Sequence, residues 1–164
     1  MRVLACDPGY DRLGVAILEK ENGKEHLIFS SCVTSDKNMT IADRLLAIGT
    51  TFSALIDTHK PTHIALETLF FSKNVKTAMH VAETRGLLLY IARSKGCTVI
   101  EYTPQEVKVA VTGYGKSDKT SVTAMVKRLV PSVRAGALDD EYDAIAVGIT
   151  ALASIRPLSP QAPC

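Results

Sequence analysis

The order of apolar and polar positions divides the chain into short β-type runs followed by longer helical ones. Apolar runs at Arg2 to Cys6, Gly14 to Leu18 and Leu27 to Val33 are separated by Gly9 and Gly23, which predicts three strands in hairpin order. From Ile41 to Ile56 the apolar positions Leu45, Leu46, Ile48, Phe52, Leu55 and Ile56 recur at helical spacing, and Pro61 follows. His63 to Glu67 then reads as a fourth strand. Val75 to Ser94 reads as a long helix with Gly86 as a point of possible breakage, and Cys97 to Tyr102 as a fifth strand after Gly96. Pro104 suits the first turn of a helix. Short helices are predicted over Pro104 to Val111 and Ser117 to Leu129, with a last one from Asp139 to Ile155. The order βββαβ, then α, β and further helices, predicts an α/β domain with a mixed five-stranded sheet flanked by helices.

Composition narrows the class. The 164 residues carry no Gly/Pro/Ser-rich linker and suit one domain, 1–164, with a substantial core. Hydrophobic residues make up 46% and charged residues 22%, which excludes disorder, and no apolar run approaches membrane-spanning length. The first apolar run breaks at Asp7 and Gly9, too early for a secretory signal, so a cytoplasmic location is expected. Cys6, Cys32, Cys97 and Cys164 form no CxxC pair and read as reduced thiols. His59 and His63 are four apart, but Pro61 between them breaks the helix that a zinc pair requires.

Four acids carry the chemistry. Asp7 and Glu67 each end an apolar strand, where a carboxylate can project into a cleft, and Asp140 and Asp143 open the last apolar helix. Several carboxylates crowd together stably only when a cation neutralises them. In Asp7-Pro8-Gly9 the glycine permits a tight turn, and Gly14 on the partner strand allows a close backbone approach beside Asp7. Asp7 alone could be a turn residue, and the acids of Asp139 to Asp143 could merely complement the helix dipole. Residues three or four apart share a helix face, so Asp143 pairs with Asp140 or with Asp139, while Glu141 points elsewhere. Oxygen donors suit Mg²⁺, with Mn²⁺ as an alternative, and thereby phosphate chemistry. Two such ions can activate a water and stabilise the leaving oxygen in phosphodiester hydrolysis. The formal charge is only +2, but with the four site acids masked by metal it becomes +6, compatible with a DNA-facing surface.

With these residues in place the chain resembles the RuvC family of Holliday-junction resolvases over nearly its whole length. The likeness runs through Asp7-Pro8-Gly9 with Gly14, Glu67 to Asn74, Arg85-Gly86, Tyr102 to Lys108, Gly113-Tyr114-Gly115 with Lys119, and Asp140-x-x-Asp143-Ala144. The resemblance implies an RNase H-like fold and places the catalytic, metal-binding acids on Asp7, Glu67, Asp140 and Asp143, selecting Asp140 over Asp139. It also implies a Mg²⁺-dependent homodimer that binds four-way junction DNA and nicks two strands symmetrically, in recombination and DNA repair. RuvA and RuvB, the branch-migration proteins, are the partners it implies. The extra acids Asp139 and Glu141 depart from the plainer family pattern.

Phe70 and Phe71 follow Glu67 in an expected loop, where an exposed aromatic could stack on an unpaired base, and the resemblance favours Phe70 as the DNA-facing ring. Lys73, Asn74, Arg85, Lys108, Lys116 and Lys119 are the remaining candidate DNA contacts; such groups position a duplex without reading its sequence. Arg85 could instead pack its stem along the long helix. Arg44, Lys127 and Arg128 read as ordinary surface charges. Gly113 to Ser117 looks like the tail of a P-loop, but the glycine required five positions before Gly115 is Ala110. Two other readings share these features: a catalytically inactive junction-binding module, and an actin-like ATPase or sugar kinase, against which the length of the chain counts. The dimer face is expected on an apolar face of the Val75 to Ser94 helix.

Overall fold

The computed structural model of the chain describes residues 1–68 and 75–155. All ten expected elements form: β1 (Arg2–Asp7), β2 (Arg12–Glu21), β3 (Lys24–Thr34), α1 (Ile41–His59), β4 (His63–Glu67), α2 (Val75–Ser94), β5 (Thr98–Tyr102), α3 (Pro104–Thr112), α4 (Lys119–Leu129) and α5 (Asp139–Ser154). They build one sheet in the order β3-β2-β1-β4-β5. β2 runs antiparallel to β1 and β3, whereas β4 and β5 run parallel to β1. Two hairpins produce the antiparallel half; the helical crossovers α1 and α2 produce the parallel half, as parallel pairing requires.

The first three strands extend beyond the expected runs because their ends are polar and pair only through backbone, which hydrophobic periodicity does not register. Gly86 does not interrupt α2; its site for a Cβ is open space, so nothing is packed there to bend the helix. Sequence signals at helix starts translate directly into hydrogen bonds. Thr103 and Glu106 form a reciprocal capping box ahead of Pro104. Asp118 accepts from the Ser121 N–H at 2.7 Å, which moves the start of α4 two residues past Ser117.

Alternation along the strands sorts the core into two layers. Leu4, Cys6, Ile64 and Leu66 face Ile48 and Phe52 of α1 and Leu88 of α2. Val3, Ala5, Ala16 and Ala65 face the opposite way, toward α3, α4 and α5. This second layer is lined by small residues, so α5 lies close against the strands, and Gly148 sits at the tightest point. A Cβ on Gly148 would lie 2.3 Å from Leu18 Cδ1 and 3.3 Å from Ala5 Cβ.

One expectation is overturned here. Arg44 is buried rather than an ordinary surface charge. Its Nε donates to Ser35 Oγ at 2.9 Å, its Nη2 donates to the Tyr10 carbonyl at 3.1 Å and to the Asp11 carboxylate, and its guanidinium lies over the Tyr10 ring. Its partners all come from the loops flanking β2 and β3, which no helical pattern reveals. The effect is to pin the turn that follows Asp7.

Replacing Gly148 by Val places branched carbons into the Leu18 and Ala5 contact. Denaturant unfolding is expected to show a loss of about 2 kcal/mol, the usual scale for overpacking a filled core. An unchanged midpoint would mean that α5 is not seated against β1 and β2 as described.

Candidate functional site

Strand parity sets the direction of the first two acids. Val3, Ala5 and Asp7 alternate onto the α5 side of β1, and Ala65 and Glu67 onto the same side of β4. Because Cys6 pairs with Leu66 in the parallel register, Asp7 and Glu67 end neighbouring strands level with each other. α5 crosses this face with Asp140 in its first turn and Asp143 three residues further on. On the neighbouring strand Gly14 pairs with Asp7, and a Cβ there would lie 1.9 Å from the Asp140 carbonyl oxygen. The close approach expected at Gly14 is therefore that of the α5 backbone itself, and it draws the last two acids to the first two.

Electrostatics record the convergence. Burial pushes the Asp7 carboxyl up to about 7, and the negative charges of Glu67, Asp143 and Asp140 add to the rise against an opposing pull from Lys119. Glu67 and Asp143 are also raised, first by burial. Asp143 lies 3.1 Å from Lys119 Nζ, and Asp140 accepts from Arg12 at 3.2 Å. Burial lowers the Lys119 ammonium, but its bonds to Asp143 and Asp139 outweigh that and leave it raised. A cavity of about 230 Å³ opens beside the acids, lined by Glu67, Asp143, Lys108 and Lys119 with Val107 and Val122 behind. The cleft thus joins carboxylates to ammonium groups across a few residues.

The neighbouring acids of α5 have different fates. Asp139 is exposed and, among the described residues, meets Lys119 at 3.3 Å. Glu141 is fully buried and turned to the other side, bonded to Ser30 and Arg134. Neither stands among the groups that raise Asp7. Among the described residues no three His, Cys, Asp or Glu side chains form a ready-made ion cage. Instead Asp140 and Asp143 are held by Arg12 and Lys119. The donor set fits a hard divalent cation: every donor is a carboxylate oxygen, and the half-buried Asp7 charge requires a counter-charge that one lysine supplies only in part.

Of the candidate DNA contacts, Lys108 and Lys119 line the cleft, and Lys116 is exposed in the α3–α4 connection. Arg85 is taken up by Glu101 of β5. Phe70, Lys73 and Asn74 lie outside the described residues. Arg12, whose guanidinium is largely exposed beside Asp140, escaped sequence reasoning; its place at the start of β2, just past the turn after Asp7, was the available signal. Gly113 to Ser117 joins two helices rather than a strand and a helix, which removes the resemblance to a P-loop. Cys6, Cys32 and Cys97 are free thiols, with Cys6 and Cys97 buried.

Comparisons with known proteins agree with this architecture. The family model described as crossover junction endodeoxyribonuclease RuvC matches residues 3–151. The chain is 41% identical over 147 residues to the crossover junction endodeoxyribonuclease RuvC of Thermosipho melanesiensis, covering 90% of this chain and 94% of that protein. It is 38% identical over 146 residues to the RuvC of Petrotoga mobilis, covering 89% and 90%. Among solved structures, Thermus thermophilus RuvC in complex with Holliday junction substrate superposes with a TM-score of 0.87 at 26% identity, covering 93% of each chain. The fold is accordingly RNase H-like.

The raised Asp7 carboxyl makes stability depend on pH and on charge. Unfolded, Asp7 loses its proton near pH 4; folded, it keeps it until about 7. Without divalent cations stability therefore falls between these values, since the folded state binds the extra proton. Asp7→Asn is expected to raise stability by on the order of 1–2 kcal/mol at pH 8 in EDTA and by little at pH 4, after discounting for partial exposure. Urea titrations at the two pH values check this; a destabilised Asp7→Asn at pH 8 would contradict the crowding of charge.

Proposed function

The chain belongs to the crossover junction endodeoxyribonuclease RuvC family, and from that premise we propose that it cuts four-way DNA junctions with Asp7, Glu67, Asp140 and Asp143 as its catalytic carboxylates. The observation that carries the proposal is geometric: Asp7 and Glu67 end neighbouring strands level with each other, and the N-terminus of α5 is seated against Gly14 beside them, at a cleft rimmed by lysines. The four carboxylates would hold Mg²⁺, with two ions per site and Mn²⁺ as a substitute. Bound there, divalent ions supply a polarised water and charge neutralisation at the leaving oxygen.

The side chains do the rest. Lys108 and Lys119 stand on one side of the acids and neutralise phosphates of the strand to be cut, which draws a polyanion toward a cleft that its own carboxylates would otherwise repel. Lys119 also bonds Asp143, so it can pass from carboxylate to phosphate as the cleft fills. Lys116, Lys73 and Asn74 extend the backbone contacts, Arg85 joins them by exchanging Glu101 for a phosphate, and Phe70 stacks at the junction centre. Action in recombination and repair, in the cytoplasm and alongside RuvA and RuvB, completes the reading. Among the described residues no helix is long and apolar enough to cross a membrane.

Two symmetric nicks require two copies of the cleft, and we assign the dimer face to α1 and α2. Leu46, Met79 and Tyr90 are 69%, 56% and 72% exposed, an unusual display of large apolar groups on two adjacent helices. Between them a groove of about 390 Å³ is lined by Leu45, Gly49, Leu87 and Ile91. Gly86, open to solvent on the same helix, leaves room for a close helix contact. Replacing both Leu46 and Tyr90 by Glu is expected to give a folded monomer in analytical ultracentrifugation that nicks junctions singly. A dimer of unchanged stability would move the interface elsewhere.

Catalysis is tested on a synthetic four-way junction. Wild type is expected to nick it with Mg²⁺ and not with EDTA. Asp7→Asn and Glu67→Gln are expected to cut at least about a hundredfold more slowly. In Ca²⁺ both variants should bind the junction within about threefold of wild type, because the basic groups remain. Cleavage by Asp7→Asn at the wild-type rate would remove the assignment. Binding without cleavage by wild type would favour the inactive junction-binding module.

A further inference from the structure

Glu141 is a buried carboxylate that the proposed chemistry does not use. Its exposure is 0%, although it lies in the first turn of α5 between Asp140 and Asp143. One oxygen accepts from Ser30 Oγ of β3 at 3.2 Å. The other takes the Arg134 guanidinium and the Leu138 backbone N–H at 3.4 Å. A single side chain thus ties the edge strand, the α4–α5 connection and the N-terminus of α5 to one point.

Stability does not account for it. Burying a carboxylate is expensive, and replacing a buried ion pair as a whole by apolar residues of similar volume is often neutral or stabilising. What an apolar residue does not provide is direction. A helix turns about 100° per residue, so Asp140 and Asp143 point roughly 100° and 160° away from Glu141, both on the same side. Rotating α5 by about 10° moves a carboxylate at about 5 Å from the helix axis by roughly 1 Å, whereas metal–ligand distances tolerate about 0.2 Å. Gly14 against the Asp140 carbonyl and Gly148 against Leu18 set how close α5 lies to the sheet, but the small side chains between them, Ala144 and Ala146, give little grip against rotation about the helix axis. The hydrogen bonds of Glu141 reach across to β3 and to the α4–α5 connection and so resist that rotation.

We infer that Glu141 is a positioning residue that fixes the rotation of α5, through Ser30 and Arg134, so that Asp140 and Asp143 face Asp7 and Glu67. The inference rests on the reading of those four acids as metal ligands. Glu141 itself touches neither metal nor DNA. Its action is read out in the divalent-ion affinity of the site rather than in the fold.

Calorimetric titration with Mn²⁺ tests it, on wild type, Asp7→Asn, Glu141→Leu, Glu141→Gln and Ser30→Ala, with melting temperatures and Mg²⁺ activation curves for nicking alongside. Glu141→Leu is expected to fold with a lowered melting temperature, since Ser30, Arg134 and the Leu138 N–H lose their acceptor, and as a folded protein to bind Mn²⁺ at least about tenfold more weakly, the scale on which outer-shell partners act. Glu141→Gln, which can still accept from Ser30, should recover part of that loss, and Ser30→Ala should weaken Mn²⁺ binding by a few fold. Wild-type affinity in Glu141→Leu overturns the inference. If Glu141→Leu does not fold, Glu141→Gln and Ser30→Ala decide: affinity and half-saturating Mg²⁺ equal to wild type in both overturns it. Failure of wild type to bind Mn²⁺, or equal binding by Asp7→Asn, removes the metal-site reading and this inference with it. A site intact in wild type and lost in Asp7→Asn, but indifferent to Glu141 and Ser30, sinks the inference alone.

Discussion

The governing constraint is repulsion among carboxylates that the fold forces together. Asp7, Glu67, Asp140 and Asp143 come from three elements distant in sequence, and burial, reinforced by the field of the other three acids, pushes the Asp7 carboxyl up to about 7. Such crowding opposes folding at neutral pH. It persists because the surrounding packing outweighs it: strand parity directs two of the acids, and the close seat of α5 brings the other two up to them. Arg12 and Lys119 offset part of the repulsion in the protein alone.

Small residues make that seat possible. Gly14 admits the Asp140 backbone at one end of the contact and Gly148 admits Leu18 and Ala5 further along. Between them Ala144 and Ala146 are buried against Ala5, Ala16 and Ala65. A layer of larger residues would lift α5 from the sheet and carry Asp140 and Asp143 away from Asp7, so packing and electrostatics oppose each other across the same few ångströms. The packing wins because it is distributed along the whole helix, whereas the repulsion acts at its N-terminal end alone.

Much of this was legible in the chain. The period-two runs ending in Asp7 and Glu67, the Thr103 to Glu106 cap and the apolar body of α5 each translate a local pattern into a local structure. The rotation of α5 was not legible, because an acidic first turn looks the same whether its members complement the dipole, face a cleft or sit in the core. Spacing left Asp139 and Asp140 equivalent, and only the resemblance separated them. The buried roles of Arg44 and Glu141 stayed hidden for one reason: their partners are Ser35, Tyr10 and Asp11 in one case and Ser30 and Arg134 in the other, brought up by tertiary contact. Strand parity, by contrast, was present in the sequence all along, since Val3-x-Ala5-x-Asp7 and Ala65-x-Glu67 already put both acids in phase with small core residues.

Arg44 and Glu141 play corresponding parts on helices that pack against opposite faces of the sheet. Arg44 gathers the carbonyl of Tyr10, the Asp11 carboxylate and Ser35, and so fixes the turn leaving Asp7. Glu141 gathers Ser30, Arg134 and the Leu138 N–H, and so fixes the turn entering Asp143. Each is a charged side chain in a place where an apolar one would be easier to bury, and each bonds to loop or strand groups that hydrophobic contact alone would leave free to slide. Apolar packing brings the two walls together with little preference for angle, because it scales with area and has no direction. Hydrogen bonds to a buried charge are directional and lose most of their energy when misaligned. The two kinds of force therefore divide the work: small apolar residues set how near the acids come, and the buried charges set where they point.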